Sequence, residues 1–251
     1  MPDRRVIDPD DNLYAFVTGG EQRSKLVIFI HGFDGDYIGT WGDLPYVLKE
    51  FADTQTILLN WDYLFIGFET VWLRSSVRIA DELSQWIDDA LVGEDPFEHP
   101  YEEIALVGHS LGTLIVRHCI LSAQCRNFAT IEAVTRAIVI GQPVFGTTVA
   151  DFLRLLTFPY LRKPVLSELT PGNGFVEQMR RWGHCATADA AHPLCKIFVY
   201  DISSDIVSNL VTAPFWAVDQ ASGSLPGDHI GAVKVYAFTH PLVAALIRRL
   251  A

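Results

Sequence analysis

Short apolar runs rich in β-branched residues recur along the chain, separated by longer stretches whose apolar residues fall at helical spacing. The clearest runs are KLVIFI (25–30), TILLN (56–60), EIALVG (103–108), RAIVIG (136–141) and KIFVY (196–200). A strand with one wet face alternates apolar and polar residues, whereas a strand covered on both faces is apolar throughout. These five are nearly all apolar, so each is expected at the centre of a mostly parallel sheet with helices on both faces, an α/β architecture. Residues 69–91 place Val71, Trp72, Val77, Ile79, Ala80, Leu83, Trp86, Ile87 and Leu91 at the spacing of an amphipathic helix. A second helix is expected over 111–124. HPLVAALIRRL (240–250) has a proline near its first turn and arginines near its end, which suits a closing helix. No repeat, low-complexity tract or Gly/Ser linker interrupts the order, so one domain over 1–251 is expected. Two segments read equally as core or as a small cap over an apolar pocket: WDYLFIGFETVW (61–72), and 148–170, which contains FLRLLTFPYLRKPVL (152–166).

Composition narrows the function. The chain has 251 residues, is 49% hydrophobic and carries a net charge of −11, with its Lys and Arg scattered. Nucleic-acid binding is disfavoured, because phosphate contacts supply most of that affinity. The first twenty residues carry acids and prolines where a signal peptide needs an apolar core. No run reaches the ~18 apolar residues of a membrane span. The expectation is a soluble, cytoplasmic protein without a transmembrane segment, able to touch a membrane transiently. Cys119 lies in an apolar helical pattern and is expected in the core. The segment HCATADAAHPLC brings His184, Cys185, His192 and Cys195 close in sequence, but at a spacing of no common zinc site. Neither a bound metal nor a Cys185–Cys195 disulfide is expected.

The most specific feature is EEIALVGHSLGTLIVRH (102–118), in which an apolar strand turns through a serine between glycines into a helix. A serine hydroxyl is a poor nucleophile until a neighbouring base takes its proton. A sharp strand-to-helix turn projects that hydroxyl from the sheet edge and aims the first helical amides at the same spot. Such a turn crowds neighbouring segments, so positions two residues either side must be tiny, hence Gly108 and Gly112 about Ser110. By chance Gly-x-Ser-x-Gly arises in ~10% of chains this long. After a buried strand and before an apolar helix it is far rarer.

With that motif, and with FIHGFDGD (29–36) placing a His-Gly pair directly after a buried strand, the chain resembles the α/β-hydrolase superfamily. The resemblance implies an oxyanion hole made by the backbone N–H groups of Phe33 and Leu111. It assigns His31 a structural place, and turns His109 away from the hydroxyl beside it. Acid and base should follow the serine in that order, each after a late strand. The histidines available are His118, His184, His192, His229 and His240. His229, in the Gly/Pro-rich loop SLPGDHIGAVK (224–234), has the position the fold needs. The acid is expected after KIFVY as Asp205, with Asp201 and then Asp219 as alternatives.

Within the superfamily the wording is similar to lipases and esterases akin to the GPI inositol-deacylase and the serine-active-site-containing proteins. The shared stretches are HGFDGDYIGTW (31–41), GHSLGTLIVR (108–117), GQPVFGTTVADFL (141–153), ELTPGNGFVEQMRRW (168–182), SSDIVS (203–208) and GDHIGAVK (227–234). Gln142 departs from the pattern, since relatives carry a small residue or Thr there. The resemblance implies a serine hydrolase cleaving carboxylic esters, small-molecule or lipid, without a cofactor. A thioesterase or protein deacylase would use the same triad, and an inactive binding module of the same shape is the rival outside enzymes.

Overall fold

The computed structural model describes residues 3–8, 13–17, 23–32, 35–37, 39–54, 61–67, 75–94, 97–126, 130–142, 195–204 and 219–251. Eight strands form one sheet: β1 (Asp3–Asp8), β2 (Leu13–Val17), β3 (Lys25–Ile30), β4 (Trp61–Ile66), β5 (Glu103–His109), β6 (Val134–Ile140), β7 (Lys196–Ile202) and β8 (Asp219–Leu225). The spatial order is β1-β2-β4-β3-β5-β6-β7-β8. The six strands from β4 to β8 run parallel, and β2 joins them antiparallel as the inner arm of the β1-β2 hairpin. The described helices are α1 (Leu44–Thr54), α2 (Ser76–Val92), α3 (Leu111–Arg126), α4 (Thr130–Ala133) and α5 (Pro241–Leu250). Among the described residues, no helix is long and apolar enough to cross a membrane.

Successive side chains of a strand point to opposite faces, and the two cores divide along that alternation. Leu26, Ile28 and Ile30 of β3, with Ile104 and Leu106 of β5, pack under α2 and α3. Val27 and Phe29, with Ala105 and Val107, pack on the other face under α1 and α5. The continuous apolar runs of the sequence are therefore two interleaved faces, each facing its own helix layer. On the second face Phe29 stacks on Phe65 at 4.5 Å and meets the edge of Trp41 at 5.2 Å.

The helix limits follow local chemistry. Ser75 caps α2 by accepting the amide of Arg78, and Gly93 closes the helix in the left-handed region at φ 72°. The expected helix over 69–91 thus has its described part at Ser76–Val92, and Val71 and Trp72 lie outside the described residues. Helix α5 has Pro241 in its first turn and His240 as its cap. At its other end the carbonyls of Arg249 and Leu250 accept from Arg136 (2.7 Å) and the Trp61 indole (3.2 Å), so both termini are tied to the sheet.

Of residues 61–72, read equally as core or as a cap, Trp61–Ile66 forms β4, buried along its whole length between β2 and β3, and residues 68–72 lie outside the described residues. The charged residue inside this run, Asp62, accepts the Tyr101 hydroxyl at 2.9 Å, with His99 3.9 Å away. A buried carboxylate with such partners is tolerated in a central strand, where one without them would not be. Burial first, and then the charge of Asp62, push the Tyr101 phenol well above its ordinary range. The run at 56–60 and the segment 148–170 lie outside the described residues.

At the amino ends of the strands, Glu103 accepts from Thr135 and Arg136 at 2.7 Å each and pairs with Lys25 at 2.5 Å. Its acid is thereby absorbed in the architecture, at the sheet edge opposite Ser110.

Phe29 is fully buried, so Phe29→Ala is expected to lower unfolding stability by about 3–5 kcal/mol, the usual cost of emptying such a site. Urea denaturation followed by tryptophan fluorescence and by far-ultraviolet dichroism measures it, with coincident transitions expected.

Candidate active site

The carboxyl ends of the parallel strands share one edge, since Ile30 pairs with Gly108, His109 with Ile140, and Ile202 with Leu225. Whatever follows each strand emerges there: Gly32, Ser110, Gly141, Ser203 and Pro226. Ser110 has φ 53°, the positive-φ residue other than glycine among those described. That conformation is costly for an L-residue and is held by its surroundings. The Ser110 amide donates to the Ile140 carbonyl at 3.0 Å, while Thr113 donates to the Ser110 carbonyl through its amide (3.0 Å) and its hydroxyl (2.7 Å).

The flanking glycines are required by space. A Cβ on Gly108 would lie 2.8 Å from the Gly112 carbonyl oxygen. One on Gly112 would strike the carbonyl oxygens of Ile30 and His31. Gly32 lies against the serine itself, where a Cβ would sit 2.7 Å from Ser110 Cβ and 3.2 Å from Oγ. The turn after β3 therefore runs directly alongside the hydroxyl. Leu111 is the first residue of α3, and the first amides of a helix have no partner within it. Phe33 lies outside the described residues.

His31 is buried and donates from Nδ1 to the Gly32 carbonyl at 2.6 Å, which also accepts the Gly35 amide at 3.3 Å. Burial holds this imidazole below its ordinary range, against the opposing influence of that bond and of Asp36. It is spent on the shape of the loop. His118 is buried in α3, eight residues or ~12 Å of helix beyond Ser110. His240 accepts from the Leu242 amide at Nδ1 (3.3 Å) and donates from Nε2 to the Gly231 carbonyl (3.2 Å), so its ring is used in capping. His184 and His192 lie outside the described residues.

His229 is brought to the serine's edge. A Cβ on Gly141, which follows β6 at φ 59°, would be 3.6 Å from His229 Cε1. The His229 ring also lies 4.8 Å, centroid to centroid, from that of His109, the residue before Ser110. Its loop is built by Asp228, whose Oδ1 accepts the amides of Ile230 (3.1 Å) and Gly231 (2.6 Å). The carboxylate preceding the histidine is thus a turn former.

Asp205 lies outside the described residues, but the two residues before it are placed: Ser203 and Ser204 donate their amides to Leu225 (2.9 Å) and Gly227 (3.2 Å). This joins the loop after β7 to the loop that carries His229. Asp201 is within β7, and burial pushes its carboxyl above the usual range. Asp219 opens β8 opposite Ile197, near the amino end of β7, so it is at the wrong edge of the sheet.

Sequence reasoning missed a polar pair beside this site, one partner buried and the other half-buried. Arg117, fully buried on α3, donates from Nε to Gln142 Oε1 at 2.7 Å. The guanidinium only donates, so the Gln142 carbonyl must face it. The glutamine's Oε1 thus has a side-chain partner. Cys119 and Cys195 are buried thiols outside any disulfide. No group of three or more His, Cys, Asp or Glu able to hold a metal occurs among the described residues.

Residues 20–161, more than half of the chain, match the model of the family described as "Putative serine esterase (DUF676)". The chain belongs to this family. The DUF676 match takes in the His-Gly loop, the Ser110 turn and Gln142. No curated protein gives a significant match. Among solved structures the chain is similar to Bacillus licheniformis lipase BlEst2, at 14% identity and TM-score 0.64 over 95% of this chain and 98% of that one. It is also similar to a fungal esterase from Rhizomucor miehei, at 14% identity and TM-score 0.64 over 100% and 82%. Phospholipase PlaB from Legionella pneumophila aligns at 18% identity and TM-score 0.62, covering 90% of this chain and 59% of that one. The fold is the α/β-hydrolase fold.

Two measurements probe this geometry. Gly112→Ala forces a side chain onto backbone oxygens that cannot swing aside, and is expected to cost more than about 2 kcal/mol in chemical denaturation. Burial lowers the His31 pKa below the 6.5 of the unfolded imidazole, so on acidification the unfolded state takes up its proton first and stability falls as pH drops below that value. Denaturation at pH 7.5 and 5.5 should show a larger acid loss for the wild type than for His31→Asn, which keeps a donor and cannot ionise.

Proposed function

We propose that the protein hydrolyses carboxylic esters through a Ser110–His229–Asp205 triad, with the amides of Phe33 and Leu111 as the oxyanion hole. The observation that carries this reading is Ser110 held at positive φ between glycines, at the edge where the His229 loop arrives. Membership of the serine esterase family supports the reaction class.

In this mechanism His229 takes the proton of Ser110 as Oγ adds to the ester carbonyl carbon. The oxygen, now negative, is met by the two main-chain donors. Charge that develops in a dry site is stabilised strongly by such fixed donors, by ~3 kcal/mol for one of them in a comparable enzyme. As the tetrahedral species collapses, the ester C–O bond breaks and His229 passes its proton to the departing alkoxide. Water, deprotonated by the same imidazole, then adds to the acyl-serine; the bond from Ser110 Oγ to the acyl carbon breaks, His229 returns its proton to Oγ, and the acid is released. Asp205 holds the imidazole in the tautomer that exposes its accepting nitrogen and stabilises the charged ring. The bonds from Ser203 and Ser204 to the segment that leads into and carries His229 support this choice over Asp201, because they tie the two residues just before Asp205 to that segment.

The shared motifs support placement near the GPI inositol-deacylase and serine-active-site-containing branch. An acyl ester, on a small molecule or a lipid, is the substrate class that follows. No cofactor is required, and a soluble, cytoplasmic setting fits the composition.

Fluorophosphonate labelling tests the nucleophile. Wild-type protein should be labelled at Ser110 and should hydrolyse nitrophenyl esters, whereas Ser110→Ala should lose both with its unfolding transition preserved. Labelling that survives the substitution refutes the assignment. Comparing nitrophenyl esters of increasing chain length with acyl-CoA separates esterase from thioesterase.

A further inference from the structure

His109 is the one member of the serine turn that the mechanism leaves without a task, and its geometry is specific. Along β5 the alternation that puts Ala105 and Val107 on the α1–α5 face puts residue 109 there too. Its ring meets the edge of Trp41, with centroids 6.4 Å apart. On the same face Ala232 and Val233, three and four residues beyond His229, are buried. The side chain next to the nucleophile is thereby turned away from the hydroxyl and toward the loop of the base.

There it makes a bond across 120 residues of chain: Nε2 lies 2.8 Å from the main-chain oxygen of His229. A carbonyl oxygen only accepts, so Nε2 carries the proton and donates. The other anchors of the loop hold its neighbours. Gly227 accepts from Ser204, Asp228 gathers Ile230 and Gly231, and Gly231 accepts from His240. His109 holds residue 229 itself. The residues around it are exposed and include a glycine at φ 114°, so packing does little to fix residues 227–231, and the bond from His109 ties the peptide at 229 to β5. A turn of that peptide would carry the imidazole off Gly141.

We propose that His109 is a positioning residue for the reaction: by donating from Nε2 to the His229 carbonyl it fixes the peptide from which the catalytic imidazole hangs, relative to the neighbouring Ser110. The inference rests on the triad reading above and adds to it the device that joins nucleophile and base. The ring contact at 4.8 Å is a consequence of that bond, and the bond is what matters. Misplacing a reacting group by about 1 Å costs on the order of 100-fold in rate, so the effect belongs in kcat and leaves substrate binding alone.

Two replacements separate the bond from the bulk. His109→Gln keeps a donor at about the Nε2 position, and His109→Phe keeps a ring without a donor. Kinetics on a nitrophenyl ester should show kcat reduced about 10- to 100-fold in H109F with KM within about twofold, and largely restored in H109Q. Fluorophosphonate labelling rates should follow the same order, with both variants retaining the wild-type unfolding transition. An H109F as active as wild type overturns the proposal, as does equal impairment of the two variants, which would make the residue a packing element only. Wild-type protein that takes no fluorophosphonate overturns the hydrolase reading and this proposal with it, whereas a labelled wild type matched by H109F overturns this proposal alone. Long-range proton–nitrogen spectra of histidine-labelled protein at pH 8 add a readout independent of turnover. The ring signals missing from H109Q should show the Nε2–H tautomer, and an Nδ1–H pattern would end the claim.

Discussion

Steric exclusion at the carboxyl edge of the sheet is the constraint on which the rest depends. Three main-chain segments, after β3, at the end of β5 and at the start of α3, meet so closely that Gly32, Gly108 and Gly112 have no room for a methyl group. That closeness forces Ser110 into the left-handed region and supports it there through the Ile140 and Thr113 bonds. It also lays the His31–Gly32 loop against the hydroxyl. A strained residue persists only where its neighbours over-determine it, and here the neighbours are mostly backbone, which cannot relax by changing rotamer.

Strand alternation turns that crowded edge into an organised site. Because β5 is covered on both faces, consecutive residues of the turn have opposite duties: residue 109 faces the α1–α5 core and the loop of His229, and residue 110, itself buried, sits against Gly32 at the carboxyl edge. Polar groups inside this framework are absorbed in pairs. His31 is spent on a loop carbonyl, Asp62 on Tyr101, Glu103 on Lys25, Thr135 and Arg136, Arg117 on Gln142, and Asp228 on two amides. Among the described residues, these polar groups are accounted for in this way.

How far the sequence was legible depended on the range of the interactions involved. The strands at 25, 103, 136 and 196 could be read because burial on both faces writes an unbroken apolar run. Ser110 could be read because its turn needs glycine at fixed, local offsets. β4 was left open between core and cap because WDYLFI carries an acid and several aromatics, and only the fold shows that Tyr101, distant in sequence, meets Asp62. Of the hairpin arms at the sheet's antiparallel margin, β1 (DRRVID) carries charge, and β2 (LYAFV) is a short apolar run without the β-branched residues that mark most of the others. Asp228 illustrates the local limit: a carboxylate beside a histidine suggests catalysis, and only the amides of residues 230 and 231 show it forming a turn. Contacts such as His109 to His229 or Arg117 to Gln142 join residues that no spacing rule connects.

Helix α5 brings the end of the chain into this picture. His240 caps its first turn with one nitrogen and holds Gly231 with the other, while Arg136 and Trp61 grip the carbonyls of its last two residues. Slack in the tail is thereby passed to the segment two residues from the imidazole at 229. This short helix therefore links the amino-end side of the sheet to the loop at its carboxyl edge, and a change at either of its ends is felt at the other.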